Sequence, residues 1–554
     1  MSKVSLFALG GLDEDGKNMY IVEVDNSIFI LECGLKYPEK DQLGIEMIIP
    51  DFTYLKENEK RIKGVFITHG HDDVMAALPS LLKVIDVPIY TAPLTAILLE
   101  KLFKKEKITN YEIHRIKRNG SFKIDNFKIK TFGVTQSIMD GFGIAIETNE
   151  GYIVYSSEFI VDYDIKNDAF KCNISEITKL GSEGVLCLMT ESVGSTREGH
   201  SAPNHRITSI VEPSFEDTEN RIIVTLYNQN IYRVIEIIEL ANKYGRRVVF
   251  FDDELKQTIQ EIARLGYYHV PAGLEITKDN FNNDLEKVVV IISGSGSSIF
   301  KRVHKIATKE DTVLEFRESD TIIIASPMVP GTELEATRME NDLYKEGAKV
   351  VAVDSKRTFS MHAAIEDLKM MLYLLKPKYY LPVKGEYRQL VSNANIALDM
   401  GYRADKIIVL DNGQIATIED GQLSKHYSNL SLEDVLIDGK ENLDASGMVL
   451  KDREILSTDG AIIIGLAVNF KTKKIIGGPD VQSRGVIYLK DADYLVKEIG
   501  NIFEDVVNTA VKEKRYDNLT CRSEARDRIS RYVLKETGKK PMILPAIVEI
   551  NTKE

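Results

Sequence analysis

The stretch Lys63-Gly64-Val65-Phe66-Ile67-Thr68-His69-Gly70-His71-Asp72-Asp73-Val74-Met75-Ala76-Ala77-Leu78-Pro79 sets two imidazoles and two carboxylates within a few residues of one another. Histidine and aspartate clustered this closely supply what a hard-to-borderline divalent cation takes as ligands. The alternative is that Asp72 or Asp73 caps a following helix and the histidines stand exposed on a loop. The apolar run 65–67 reads as a buried strand, and the apolar positions after Gly70 have helical spacing. A strand must then deliver the histidines at its carboxyl end, where open α/β sheets hold their ligands.

A chain of 554 residues is too long for one hydrophobic core and divides into about three or four domains. Hydrophobic content of 44% and charged content of 28% describe an ordinary soluble globular protein. No stretch approaches the roughly 18 uninterrupted apolar residues of a membrane span, and the first residues lead straight into a strand-like run without a secretion signal. Cys33, Cys172, Cys187 and Cys521 lack pairing spacings and read as reduced thiols, so the expected location is cytoplasmic. A formal charge of −13 argues against an indiscriminate polyanion binder but permits a local basic channel. His114-Arg115-Ile116-Lys117-Arg118 and Lys301-Arg302-Val303-His304-Lys305 could line one; each reads equally well as a solvated charged face.

The central stretch resembles the H-x-H-x-D-H signature of metallo-β-lactamase-fold hydrolases, with Val74 in place of the last histidine. A wider resemblance, to bacterial ribonuclease J of the β-CASP branch, runs nearly the whole length. Phe7-Ala8-Leu9-Gly10-Gly11-Leu12, Gly16-Lys17-Asn18-Met19-Tyr20 and Gly34-Leu35-Lys36-Tyr37-Pro38 carry it at the start. Leu375-Lys376-Pro377-Lys378-Tyr379-Tyr380, Gly385-Glu386-Tyr387-Arg388 and Pro541-Met542-Ile543-Leu544-Pro545 carry it later. The resemblance implies a multidomain α/β and α+β chain: a metallo-β-lactamase αββα sandwich, an inserted β-CASP α/β domain and a small carboxy-terminal α+β domain. The expected boundaries are 1–204 and 365–430 for the sandwich, 205–364 for the insertion, 431–450 for a linker and 451–554 for an oligomerisation domain.

Residue patterns fit that division. Residues 4–33 read as an antiparallel meander, and 122–154 as a hairpin series ending at Tyr155-Ser156-Ser157-Glu158-Phe159. From 205 to 364 strands alternate with helices, as in a doubly wound domain, with strands at 222–226, 247–251, 288–292 and 321–325 and helices at 231–244 and 255–265. Ser293-Gly294-Ser295-Gly296-Ser297-Ser298 could offer amides to a phosphate or be a flexible loop. Further helices are expected at 366–375, 495–511 and 523–534, and strands at 461–466 and 485–489.

The resemblance also assigns a site. His69, His71, Asp73 and Glu158 fall on metal-ligand positions, with Asp73 and His71 also carrying the catalytic role. Thr358, Phe359, Ser360, Met361 and His362 fall on the segment that holds the RNA end. Three positions depart from the pattern: Val74, Gln136 and Lys384 each stand where the family has a histidine. Glu158 replaces a bridging aspartate, and could also be a strand-end carboxylate in solvent. An ammonium repels a dication by about 8 kcal/mol at 4 Å and an effective dielectric of 20. At most one weakly bound ion (zinc, or manganese or magnesium) is therefore expected, with Lys384 taking the second ion's place against Asp73 and Glu158.

Two functions follow as expectations. One is a weakly active or inactive RNA-binding subunit, acting in rRNA maturation and mRNA decay beside an intact ribonuclease J paralogue. The other is a metal-dependent 5′-to-3′ exoribonuclease or endoribonuclease in its own right. The expected partners are RNA and that paralogue, with a homodimer as a further possibility and no membrane. β-Lactam hydrolysis is disfavoured by the insertion.

Overall fold

In the computed structural model, which describes residues 2–39, 42–329, 331–354, 358–439, 441–443, 447–486 and 493–551, short apolar runs and tight turns build the first sheet. Lys3–Gly10, Met19–Val24 and Ser27–Leu31 pair as an antiparallel meander. Asp25, at φ 53°, takes the left-handed conformation that the two-residue turn needs. Ile62–Ile67, Ile89–Thr91 and Ile113–Arg115 then extend the sheet in parallel. Gln414–Glu419 pairs on the far side of Lys3–Gly10.

A second sheet runs Tyr379–Val383, Val185–Glu191, Gly151–Tyr155, Phe142–Thr148, Phe127–Gly133, Gly120–Ile124. Its antiparallel hairpins are the series expected at 122–154, and its first three strands are parallel. The two sheets face each other: Leu6, Tyr20, Val22, Phe29 and Phe66 meet Ile144, Ile153, Leu186, Met189 and Leu381 in one core. Period-two alternation leaves a second apolar set on each outer face, which helices must cover. Tyr54 of the helix Thr53–Glu57 packs edge-on against Phe7, ring centres 5.2 Å apart, on one side. Ile174–Glu183, Ile365–Leu375 and Tyr387–Asp399 cover the other.

Between these sandwich segments lies a five-stranded parallel sheet ordered Arg247–Phe250, Val288–Gly294, Ile222–Tyr227, Thr321–Ile324, Lys349–Ala352. Ile222, Val224, Val289 and Ile291 pack on one face against Ile231–Lys243 and Asp253–Arg264. Ile223, Val290 and Ile292 pack on the other against Ser298–Ala307 and Glu333–Lys345. This is the doubly wound domain expected from the alternation. The first of these cores also takes in Leu94, Ile138, Met139 and Phe170, so the insertion is packed onto the helix Pro93–Lys105 and the loop that carries Gln136.

All of this belongs to the compact unit Met1–Tyr37 with Met47–Val435; a second unit comprises Pro38–Glu46 with Leu436–Glu554. In the second, Ile475–Arg484, Ala461–Asn469 and Met542–Ile550 form a sheet with Asp493–Lys512 and Asn518–Thr537 on one face. Ile463, Leu544 and Val548 are exposed on the strands' other face. The stretch 431–450, read as a linker, holds paired strands at Val435–Asp438 and Glu441–Leu443 and the start of the helix Met448–Thr458. Of the strand expected at 485–489, residues 487–489 lie outside the described residues.

Candidate metal centre

The strand Ile62–Ile67 ends at Thr68, and His69 and His71 follow before the short helix Asp72–Met75. Neighbouring backbone fixes that turn. Cys33 N donates to Val74 O (2.7 Å), Leu35 N to Asp72 O (3.1 Å) and Asn18 Nδ2 to Asp73 O (2.8 Å). A Cβ on Gly34 would lie 1.6 Å from Asp73 O, so only glycine lets the two chains approach this closely. The same contacts divert the turn's carbonyls, so the helical spacing after Gly70 yields two short helices, Asp72–Met75 and Leu78–Leu82.

His69 is fully buried and His71 partly so, which removes the exposed-loop alternative. Their rings turn inward on Glu158, itself buried. His69 Nε2 is 3.3 Å from Glu158 Oε1, His71 Nδ1 is 3.4 Å from Oε2, and the two ring nitrogens are 3.1 Å apart. One ligand atom from each of these three residues lies within 4.8 Å of the others. Behind His69, Thr68 Oγ1 stands between Glu32 and His69 Nδ1 (2.8 Å), so Nδ1 is engaged and Nε2 is the nitrogen that faces the centre. Ser137 Oγ holds His71 Nε2 at 2.9 Å in the same way. Burial pushes the His69 pKa down to about 4 against the pull of Glu158, which keeps it in the neutral form a metal needs.

Lys384 closes the other side. It follows the strand Tyr379–Val383 in the left-handed region (φ 53°), and its buried ammonium reaches Asp73 Oδ2 (2.7 Å) and touches Glu158 Oε1. Burial opposes its charge, but Asp73 and Glu158 prevail and hold its pKa well above the ordinary lysine range. Burial likewise works against the Glu158 carboxylate, and the Lys384 ammonium prevails and holds its pKa well below the ordinary carboxylate range. Ser157 (φ 60°) and Glu32 (φ 67°) share the left-handed conformation.

Asp73 therefore stands apart from the convergent group: its Oδ2 is taken by Lys384 and by Asn18 Nδ2 (3.0 Å). Val74 is buried and offers no ligand. Gln136 is buried against Gly141, where a Cβ would fall 1.8 Å from its Nε2, and neither amide atom has a hydrogen-bond partner. These residues fit one divalent cation on His69, His71 and Glu158, with an orphaned amide nearby, and they do not fit two.

The expected RNA-end segment lies beside Glu191. His362 Nδ1 donates to Glu191 Oε2 (2.6 Å), and Phe159 N and Ala363 N donate to Glu191 Oε1 (2.9 and 3.0 Å). Burial lowers the affinity of His362 for a proton, but Glu191 and Glu158 outweigh it, so its pKa is raised. Arg197 stacks on Phe359 (4.7 Å to the ring centre) and donates to Ser360 Oγ (3.1 Å). Thr358 Oγ1 is buried without a partner, and Met361 is buried. Glu32 and Arg197 are the contributors that sequence reasoning missed. Glu32, an acid directly after an apolar strand, carried a signal that Arg197 did not.

The basic clusters are largely consumed. Arg118 donates to the carbonyls of Asp168 (2.6 Å), Val134 (2.9 Å) and Lys171 (2.9 Å), and His114 stacks on Tyr90 at 4.6 Å. Arg302 pairs with Asp252 (3.1 Å) and His304 with Asp342 (2.6 Å). Of the Gly/Ser run, Gly294 ends a strand and Ser298 opens a helix.

One histidine outside the centre sets a pH dependence. His205 is fully buried 3.4 Å from Asp162, and burial pushes its pKa down to about 4 despite that carboxylate. The unfolded chain takes this proton below its ordinary value of about 6.5 and the folded chain does not until about 4, so stability is present above that window and lost as pH falls through it. At pH 5 the loss from this residue is about 2 kcal/mol. Chemical denaturation of His205→Phe at pH 7 and pH 5 should show a correspondingly smaller acid loss than the parent; an identical loss would contradict the assignment.

Four family models match the chain. They are the metallo-beta-lactamase superfamily over residues 12–148, the ribonuclease J beta-CASP domain over 219–343, the Zn-dependent metallo-hydrolase RNA specificity domain over 347–405 and the ribonuclease J C-terminal domain over 448–550. Ribonuclease J 2 of Staphylococcus epidermidis RP62A is 30% identical over 552 residues, covering 99% of this chain and 98% of that one. Ribonuclease J 2 of Staphylococcus aureus MRSA252 is 30% identical over 549 residues, with the same coverage. A solved protein of unknown function from Enterococcus faecalis V583 shares the fold at a TM-score of 0.53 and 17% identity, over 75% of this chain and 100% of that one.

Proposed function

Since the chain belongs to the ribonuclease J family, we propose that it is an RNA-binding subunit whose own hydrolytic centre is weak or silent. It would act beside an intact ribonuclease J paralogue in RNA maturation and decay. The observation that carries this reading is the ligand count: His69, His71 and Glu158 converge, while Oδ2 of Asp73 is taken by Lys384 and Asn18. Hydrolysis of a phosphodiester by the two-ion route needs both cations, one to activate water and both to stabilise charge on phosphate.

The family's metal dependence is matched here by one site. A divalent cation on His69, His71 and Glu158 would supply Lewis-acid polarisation of a phosphoryl oxygen. The chain's own groups do the rest. Glu32 and Thr68 orient His69, and Ser137 orients His71. Glu191 holds His362, with a raised pKa, at the edge of the RNA-end segment, where a cationic ring can receive a phosphate. Arg197 fixes Phe359 and Ser360 in the same segment. These groups bind and position RNA without requiring turnover. No helix among the described residues is long and apolar enough to cross a membrane.

The second reading, a nuclease working with one ion, is favoured by the intact convergence of His69, His71 and Glu158. A 5′-monophosphorylated RNA separates the two. The isolated chain, assayed with manganese or magnesium beside a His71→Ala, Asp73→Ala control, should bind RNA and show only the control's residual turnover. Turnover well above the control and abolished in it would establish the nuclease.

A further inference from the structure

We infer that the ammonium of Lys384 stands permanently in the place of a second cation, so that the centre is closed electrically with at most one ion and the surrounding fold does not depend on metal. This deepens the reading above and rests on it for the two-ion layout from which the centre departs. Three observations carry it.

First, the ammonium joins the elements a bridging cation would join. Asp73 follows the first sheet's strand Ile62–Ile67, Glu158 follows the second sheet's Gly151–Tyr155, and Lys384 itself ends Tyr379–Val383. Second, the backbone is bent to put it there. Lys384 at φ 53° is followed by Gly385 at φ 143°, and its carbonyl accepts from Ser192 N at 2.9 Å. Third, the charges limit the number of ions. Asp73 and Glu158 contribute two negative charges and Lys384 one positive, leaving one net negative charge on the group. One dication turns that to one net positive charge; a second would face both the first and the ammonium in a buried space. Val74 offers that second ion no ligand, and Oδ2 of Asp73 is already engaged by Lys384 and Asn18.

The test uses the full chain, with manganese or zinc alone as the probe. Elemental analysis after dialysis should find no more than one ion per chain, and a chelator should shift thermal unfolding by no more than about 2 °C. Lys384→Met strands the buried carboxylate of Glu158 and removes the cation from half-buried Asp73, so in chelator its melting temperature should fall by roughly 10 °C, and added manganese should recover much of that loss. Lys384→Arg, which keeps the charge, should resemble the parent in ion count. Should Lys384→Met fail to fold, the parent and Lys384→Arg ion counts still decide the matter. Two tightly bound ions on the parent, or a Lys384→Met chain as stable as the parent in chelator, would overturn the inference. Brisk RNA turnover by a one-ion parent would instead overturn the silent-subunit reading and leave this one standing.

Discussion

Replacing Lys384 and Glu158 together should cost less stability than replacing Lys384 alone. Lys384→Met removes the cation that touches both the buried carboxylate of Glu158 and the half-buried one of Asp73. Breaking a buried pair by deleting one partner costs about 3–5 kcal/mol, because the partner's charge stays buried without compensation. Adding Glu158→Gln removes one stranded charge, and Asp73 still has the Asn18 amide at 3.0 Å. The double variant should therefore recover roughly 2 kcal/mol of the loss, a coupling far outside the ~0.5 kcal/mol scatter of independent sites. Chemical denaturation of the parent, both single variants and the double variant in chelator measures it. Additive losses would mean that the two side chains do not act on each other.

A comparable loss is expected at a second buried ion pair, with no effect on metal. Arg221 is 2% exposed. Its Nε and Nη2 donate to Asp320 Oδ1 (2.9 Å) and Oδ2 (2.6 Å), Nη1 to Asn283 Oδ1 (3.0 Å) and Nη2 to Glu315 O (2.5 Å). Thr321 N donates to Arg221 O at 3.1 Å, so the pair stitches Ile222–Tyr227 to Thr321–Ile324 at the centre of the inserted sheet. Arg221→Leu leaves Asp320 buried with the Arg317 amide (2.9 Å) as a remaining donor, and should cost about 3–5 kcal/mol. Since the chain has no Trp, circular dichroism is the suitable probe. A loss below about 1 kcal/mol would show that the pair is dispensable. Ion count should stay at the parent's value, which separates a pair that only holds strands together from one that sits in a metal's place.

Much of this architecture was legible in the residues. The hairpins of the second sheet follow from alternation and turns, and the parallel domain from buried runs such as Val288–Gly294 followed by an amphipathic helix. The histidines' place at a strand end was legible for the same reason. What escaped was set by partners distant in sequence. The helix after Gly70 breaks because Asn18 takes the carbonyl of Asp73 and Cys33 that of Val74. Arg118 reads as a surface cation, yet its partners are carbonyls on two other segments. Lys349–Ala352 lies at a sheet edge and has too short an apolar run to stand out. Glu32 orients His69 through Thr68, a relation that spacing alone does not encode.

Within the site, the family resemblance carried the lost ligands at Val74, Gln136 and Lys384, and with them the expectation that Lys384 stands against Asp73 and Glu158. It did not carry the orphaned amide of Gln136, which needs the packing against Gly141 to be seen.

Anomalous diffraction from crystals grown with manganese tests the central claim most directly. The account predicts at most one peak, ringed by His69, His71 and Glu158, with the Lys384 ammonium resolved between Asp73 and Glu158. Two peaks roughly 4 Å apart, as in two-ion hydrolases, with the Lys384 side chain swung out of the centre, would contradict it.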